Sequence, residues 1–277
     1  MKTELMRIVF AGVMTLVLGS ASLTPAGTTE TYRPGTEFAP QGLTLEKNTY
    51  VYDSKKADLD GDGGADDVVL YGVKKYADSP FVGDIGIAVK NGQSSQFSAA
   101  SIGEYNAGYE PQLLIGSFTR PSAQEIWVSL ATGGSGGVYQ YSLLTYQDDQ
   151  VRPIIPQKDL NQGLVLETRC LPGFKLSIRD KATDFEATLD LTKSSVDYEE
   201  MGIYDNVGRL LENPMVLVDG YGVLEPEDED RDGILELHGI QKISLGYHAN
   251  SVAYAESTWK VSKGGMVLVS EGIKAIN

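Results

Sequence analysis

Two short acidic segments carry the residues best suited to chemistry. Residues 58–66 read DLDGDGGAD and residues 228–236 read DEDRDGILE, and both fit D-x-D-x-D-G-x-x-(D/E). Asp58, Asp60, Asp62 and Asp66 fill the first pattern; Asp228, Asp230, Asp232 and Glu236 fill the second. Alternate carboxylates at positions 1, 3 and 5 converge when the backbone curls, which suits a hard cation with about six to eight oxygen ligands. Gly63 and Gly233 occupy position 6, where a sharp turn needs a residue that tolerates positive φ. Position 7, Gly64 or Ile234, offers a backbone carbonyl, and position 9 offers a further carboxylate, directly or through water. Four like charges at this density repel one another unless a cation is present. The expectation is one calcium ion at 58–66. A second is expected at 228–236 if the surrounding acidic run, EPEDEDRD, is more than a solvated face.

These loops are not EF-hands. An EF-hand places a bidentate Glu at position 12, and that position here is Val69 or Gly239. EF-hand loops also join helices. The first loop instead leads into DDVVLYGV and the second into ILELHGIQKISL, β-branched and alternating segments that predict strands. Each loop is therefore expected to be a calcium turn delivering the chain into a sheet.

The elements that must position these turns are predicted to be all-β. The chain has 277 residues with 31 Gly, 15 Tyr and many short Val/Ile/Tyr runs. Strands are predicted over 66–73, 84–90, 112–117, 125–131, 138–146, 164–168, 174–179, 185–191, 215–219, 234–238, 241–247, 252–261 and 265–270. FKLSIRD and FEATLDL, joined by KATD, predict a hairpin. One helix is predicted over 194–212, capped by Ser194 or Ser195 and weakened by Gly202 and Gly208.

Composition excludes some partners. A net charge of −15 disfavours nucleic acid and anionic membrane surfaces, which need clustered Lys and Arg, and suits divalent-cation binding. Lys2 and Arg7 precede the apolar run Ile8 to Leu18, and small residues follow. Residues 1–26 thus predict a secretory signal, with a retained N-terminal anchor as the alternative, and a secreted or cell-wall location. The single cysteine, Cys170, rules out an intrachain disulfide. It is expected to be a buried small apolar residue rather than a nucleophile.

Catalytic constellations are sparse. Residues 133–137, GGSGG, formally satisfy G-x-S-x-G around Ser135. A nucleophile elbow needs a helix after the turn, and VYQYSLLTY alternates like a strand, so a hairpin loop is expected, or a backbone nest for an anion or sugar hydroxyl. His238 and His248 are the only histidines, too few for a His-rich metal site. With 38 acidic residues, no glycosidase carboxylate pair stands out. Tyr105, Tyr109, Trp127, Tyr139, Tyr141 and Tyr146 make an aromatic-rich middle, read as core and cross-strand pairs before a sugar platform.

An internal repeat organises the chain. ADLDGDGGADDVVLYG (57–72) aligns without gaps on GSFTRPSAQEIWVSLA (116–131). Ser117 then falls on Asp58, Thr119 on Asp60, Pro121 on Asp62 and Glu125 on Asp66, so the middle copy reads as the same unit without its metal ligands. Units beginning near 57, 116 and 227 imply a period of about 55 residues, within the range of solenoids and propellers. The stretch near 172 is strand-rich but carries no acidic loop. The loops resemble FG-GAP/VCBS repeats, in which D-x-D-x-D-G-x-x-D precedes a strand such as DLVV; DLDGDGGADDVVL is the close match. That resemblance implies β-propeller blades, here about four to five blade-like units in a single 27–277 domain, incomplete or open, with calcium between strands and an extracellular location. It carries over Asp58, Asp60, Asp62 and Asp66 as ligands, and the 228–236 set with Glu replacing Asp. The expected role is a calcium-binding β-repeat protein, structural or binding, at the cell surface. The alternatives are a cell-wall polysaccharide-binding module and a metal-dependent hydrolase; a surface protein is a further candidate partner.

Overall fold

The computed structural model describes residues 32–276, apart from Ala77, Lys263 and Gly264. Tyr32–Asn277 forms one compact unit. The expected signal segment, 1–26, lies outside the described residues. Among the described residues no helix is long and apolar enough to cross a membrane.

The chain is all-β and antiparallel, built as four successive meanders. The first comprises β1 (Thr49–Ala57), β2 (Asp66–Val73), β3 (Phe81–Lys90) and β4 (Phe97–Ser101). The second comprises β5 (Gly108–Gly116), β6 (Glu125–Ala131), β7 (Tyr139–Gln147) and β8 (Gln150–Pro153). The third is β9 (Leu166–Leu171), β10 (Lys175–Asp180) and β11 (Phe185–Asp190). The fourth is β12 (Val216–Glu227), β13 (Glu236–Leu245), β14 (Ser251–Ser262) and β15 (Gly265–Ala275). The first two join through the pairs Phe81↔Tyr109 and Val82↔Gly108 into one eight-stranded sheet. The third and fourth are separate sheets, and none of the sheets closes on itself.

Side-chain alternation decides what packs on what, because successive residues of a strand face opposite sides. Val68 and Leu70 of β2 face the second meander and share a core with Leu113, Ile126, Val128, Leu130 and Leu144. Val69 and Tyr71 face the other way, onto Phe38 of the N-terminal segment. Burial on both faces explains why VVLY is a continuous apolar run. In β6, Trp127 points away from its neighbours Ile126 and Val128, into a core with Tyr221, Leu224 and Leu237 of the fourth meander. The fourth meander also covers the third: Ile243, Leu245, Ala253 and Ala255 pack on Cys170, Leu176 and Ile178. The meanders are thus linked in the order first, second, fourth, third.

Several expectations shift in detail. The segments 234–238 and 241–247 form one strand, β13. Gly239, between them, is needed there because a Cβ would lie 2.4 Å from the Tyr221 ring. β1, β4 and β8 are strands that their short, polar sequences did not announce; pairing with an apolar neighbour creates them. The helix predicted over 194–212 shrinks to α2 (Ser195–Glu200), after a short 3-10 turn at Thr192–Ser194 and without a side-chain cap hydrogen bond. Gly202 takes φ +72° and ends it, and Asp205 then accepts from the Val207 and Arg209 amides, closing a turn instead. Among the described residues the other α-helix, α1 (Gln157–Leu160), is a single turn.

Candidate metal centres

The three aligned loops occupy one topological position, the connection from the first strand to the second strand of a meander: β1–β2, β5–β6 and β12–β13. Their backbones agree at position 6, where Gly63, Ser122 and Gly233 have φ of +87°, +64° and +85°. Position 9 is a buried carboxylate in all three, and it accepts a hydrogen bond from the amide of position 2. Asp66 Oδ2 accepts from Leu59 N at 3.0 Å, Glu125 Oε2 from Phe118 N at 2.6 Å, and Glu236 Oε2 from Glu229 N at 3.0 Å. Position 9 therefore closes the loop, metal or no metal. This shared role of Glu125 was hidden in the sequence because the middle copy has none of the other acidic positions. The loops also neighbour one another: Leu59 and Glu125 border one hollow, and Leu235 N donates to Ser117 O at 2.7 Å.

In the first loop, Asp58, Asp60 and Asp62 bring carboxylate oxygens within 4.8 Å of one another. Backbone amides aim them: Gly61 N and Gly63 N donate to the two oxygens of Asp58, Asp62 N to Asp60, and Gly64 N to Asp62. Position 7, Gly64, thus sits in a turn held by position 5. Across the sheet, Asn91 Nδ2 donates to Asp60 Oδ2 at 3.2 Å and Gln93 Nε2 donates to Asp62 O at 3.0 Å. Asp66 stands apart from the convergent trio, since its two oxygens hold Leu59 N and Gly92 N. Burial pushes the Asp66 carboxyl above the ordinary aspartate range, and the charges of Asp60 and Asp62 push the same way, against those two backbone donors. Among the described residues, no ion pair reaches Asp58, Asp60, Asp62 or Asp66. The donor set is three hard oxygen anions on a rigid turn with open access, which fits calcium.

The second loop repeats the ladder. Asp228 accepts from Asp232 N and Gly233 N, and Asp232 accepts from the position-7 amide of Ile234 at 2.8 Å. Here the convergent group is Asp228, Asp230 and Glu236. The extra methylene of Glu236 lets Oε1 reach into the loop while Oε2 keeps the backbone bond, a reach that Asp66 lacks. Lys260, on β14, enters the same loop. Its Nζ lies 2.8 Å from Asp230 Oδ2, 3.0 Å from Glu236 Oε1 and 3.4 Å from Asp232 Oδ2. The sequence reading missed Lys260 because it sits 24 or more residues beyond the loop and joins it only through strand pairing.

The remaining candidates separate. Ser135 lies in the hairpin loop between β6 and β7, with a strand and not a helix after it, as its sequence context indicated. That loop rests on a polar group the sequence did not announce: Lys242 Nζ donates to Gly136 O at 3.1 Å and lies 3.6 Å from Asp219 Oδ2, and Asp219 Oδ1 is 2.8 Å from His248 Nδ1. His238 Nδ1 is 3.9 Å from Glu229 Oε1, outside the convergent group. Trp127, Tyr141 and Tyr146 are buried. Trp127 stacks between Phe118 and Tyr141 at ring-centroid distances of 5.5 and 5.3 Å, so these three side chains belong to the core and not to an exposed platform. Tyr105 is exposed. Cys170 is buried, and that burial raises its thiol pKa.

Comparison with known proteins adds kinship. Residues 164–274 match the family described as the YybI C-terminal domain. That match spans the third and fourth meanders, and so includes loop 228–236 and Lys260 but not loop 58–66. No solved structure matches the chain. Uncharacterized protein YybI of Bacillus subtilis (strain 168) is 31% identical over 207 residues, covering 75% of this chain and 78% of that protein. With that identity and coverage, the chain belongs to the YybI family.

Proposed function

We propose that this protein is a secreted, calcium-binding β-repeat protein whose loop 58–66 takes one Ca²⁺, and that its role at the cell surface is structural or binding and not catalytic. The observation that carries this reading is the convergence of Asp58, Asp60 and Asp62 within 4.8 Å on a glycine-turned loop, with no cationic side chain paired to them among the described residues. An ion there offsets the repulsion of the trio and of buried Asp66, and so fixes the turn that starts β2. Its affinity is expected in the range of extracellular modules, with Kd about 10⁻⁴–10⁻³ M. The four meanders are read as blade-like units of an FG-GAP/VCBS type in an open arrangement; what supports this is the common place of the aligned loop in three of them, acidic in two. The partner is a cell-wall polysaccharide or a surface protein.

Calorimetric titration of Ca²⁺ into wild type and Asp60→Asn tests the site. Saturable binding by wild type that Asp60→Asn abolishes is the expected result. Absence of heat and of any thermal shift in wild type would overturn it.

A further inference from the structure

The two acidic loops differ in the side chain that the sheet delivers to them. β2 pairs with β3 so that Asp67 faces Lys90, and the next step places Asp66 opposite Asn91. β13 pairs with β14 so that Leu237 faces Trp259, and the next step places Glu236 opposite Lys260. Asn91 and Lys260 thus hold the same position in their units, and each donates to the position-3 aspartate of its loop: Asn91 to Asp60 at 3.2 Å, Lys260 to Asp230 at 2.8 Å. In the second meander Ile126 faces Leu144, which puts Thr145 opposite Glu125. There the loop has no acidic trio and the position is neutral.

We propose that the Lys260 ammonium is the cation of loop 228–236, standing where loop 58–66 takes a metal ion, so that the chain pairs one metal-responsive loop with one self-neutralised copy. Only the metal half rests on the calcium reading above. An ammonium has three N–H donors, and Nζ meets three carboxylates, on Asp230, Asp232 and Glu236. Glu236 supplies an independent indication. It is 2% exposed, and its Oε1 is buried without a hydrogen bond of good geometry, with Nζ 3.0 Å away. A buried carboxylate oxygen of this kind demands a positive charge beside it. Lys260 meets that demand without drawing on the solvent, because β14 tethers it at the site and its local concentration stays fixed whatever the calcium level outside. A calcium ion must displace that tethered charge before it can use the same oxygens.

The rule that follows is testable by exchange: where the acidic trio is present, the register residue decides whether a loop takes metal. Ca²⁺ titration by calorimetry into the full chain tests it, with thermal melts in calcium and in chelator to confirm folding. Wild type is expected to show one event, lost in Asp60→Asn. Lys260→Asn, which installs the residue found at the first loop, is expected to add an event that persists when combined with Asp60→Asn. The reciprocal Asn91→Lys is expected to weaken the wild-type event at least tenfold while leaving the chain folded, and it serves where Lys260→Asn fails to fold. The proposal is overturned if wild type carries an event that Asp60→Asn spares and Asp230→Asn removes. It is also overturned if folded Lys260→Asn gains nothing, or if folded Asn91→Lys binds as wild type does. A silent wild type with a binding Lys260→Asn would sink calcium at 58–66 and leave the lysine assignment standing; the reverse pattern would do the opposite.

Discussion

Loops 58–66 and 228–236 have nearly the same pattern, the same positive φ at position 6 and the same amide ladder aiming their carboxylates. They part at position 9, where Glu236 joins its convergent group and Asp66 does not, and at the cross-strand neighbour, Asn91 in one sheet and Lys260 in the other. A short motif therefore specifies a turn and a charge density, and the adjoining strand specifies what balances the charge. The loop 117–125 extends the comparison. It keeps the buried position-9 carboxylate and the positive φ at position 6, and dispenses with the rest. The turn, then, is common to all three loops, and the acidic trio to only two of them.

The strongest way to break this view is to remove position 9. Asp66→Ala strips the partners of Leu59 N and Gly92 N, and an unsatisfied buried donor costs about 1–3 kcal/mol. The variant is expected to lose roughly 2–4 kcal/mol of stability in denaturant melts, in chelator as well as in calcium. Glu125→Ala should behave alike, since Glu125 holds Phe118 N and Thr119 N. A loss seen only in calcium would mean that position 9 serves the metal and not the turn.

Metal removal separates the two acidic loops next. Calcium at a hundredfold excess over Kd stabilises the folded chain by about 2.7 kcal/mol, and chelation should return that amount. Asp58→Asn is expected to abolish the calcium-dependent part of the melting shift, and Asp228→Asn to leave it intact. An equal loss in both variants would show that Lys260 does not exclude metal from its loop.

The position-6 glycines sharpen the part the loops share. An added Cβ meets nothing within 4 Å at Gly63 and only Pro121 at 4.0 Å at Gly233, so the cost is backbone strain alone, about 1–2 kcal/mol for a left-handed non-glycine residue. Gly63→Ala and Gly233→Ala should be equally destabilised in chelator. In calcium, Gly63→Ala alone should also show weakened binding in a titration.

The smallest effect is a difference in acid response. Asp66 lies above its ordinary range because it is buried; Asp230 lies below its own because Lys260 donates to it. A raised folded value means that Asp66 favours folding fully below its unfolded value, and that this contribution is lost as pH rises through the folded one. A lowered value means that Asp230 contributes above its unfolded value, and that this is lost as pH falls through the folded one. Carboxyl-detected NMR titration in chelator should therefore place the two titration midpoints on opposite sides of that of a free aspartate. Lys260→Asn should return Asp230 towards the ordinary range and leave Asp66 in place.

The sequence alone determined the all-β class and the two acidic turns, with β2 and β6 predicted to the residue. These are local matters: a glycine at position 6, carboxylates at spacing two and an alternating apolar run act through neighbours a few residues away. It also separated the hairpin loop around Ser135 from a nucleophile elbow, because the strand that follows is written in VYQYSLLTY. The tertiary structure decided what local chemistry cannot. It made strands of β1, β4 and β8 by giving their polar sequences a partner, and it cut the helix over 194–212 short at Gly202. It buried Trp127 and Tyr141 between two sheets. It gave Glu125 the role of Asp66, and it brought Lys260 from β14 into a loop that ends at Glu236. Strand register sets these last contacts, and register is fixed by the packing of whole sheets.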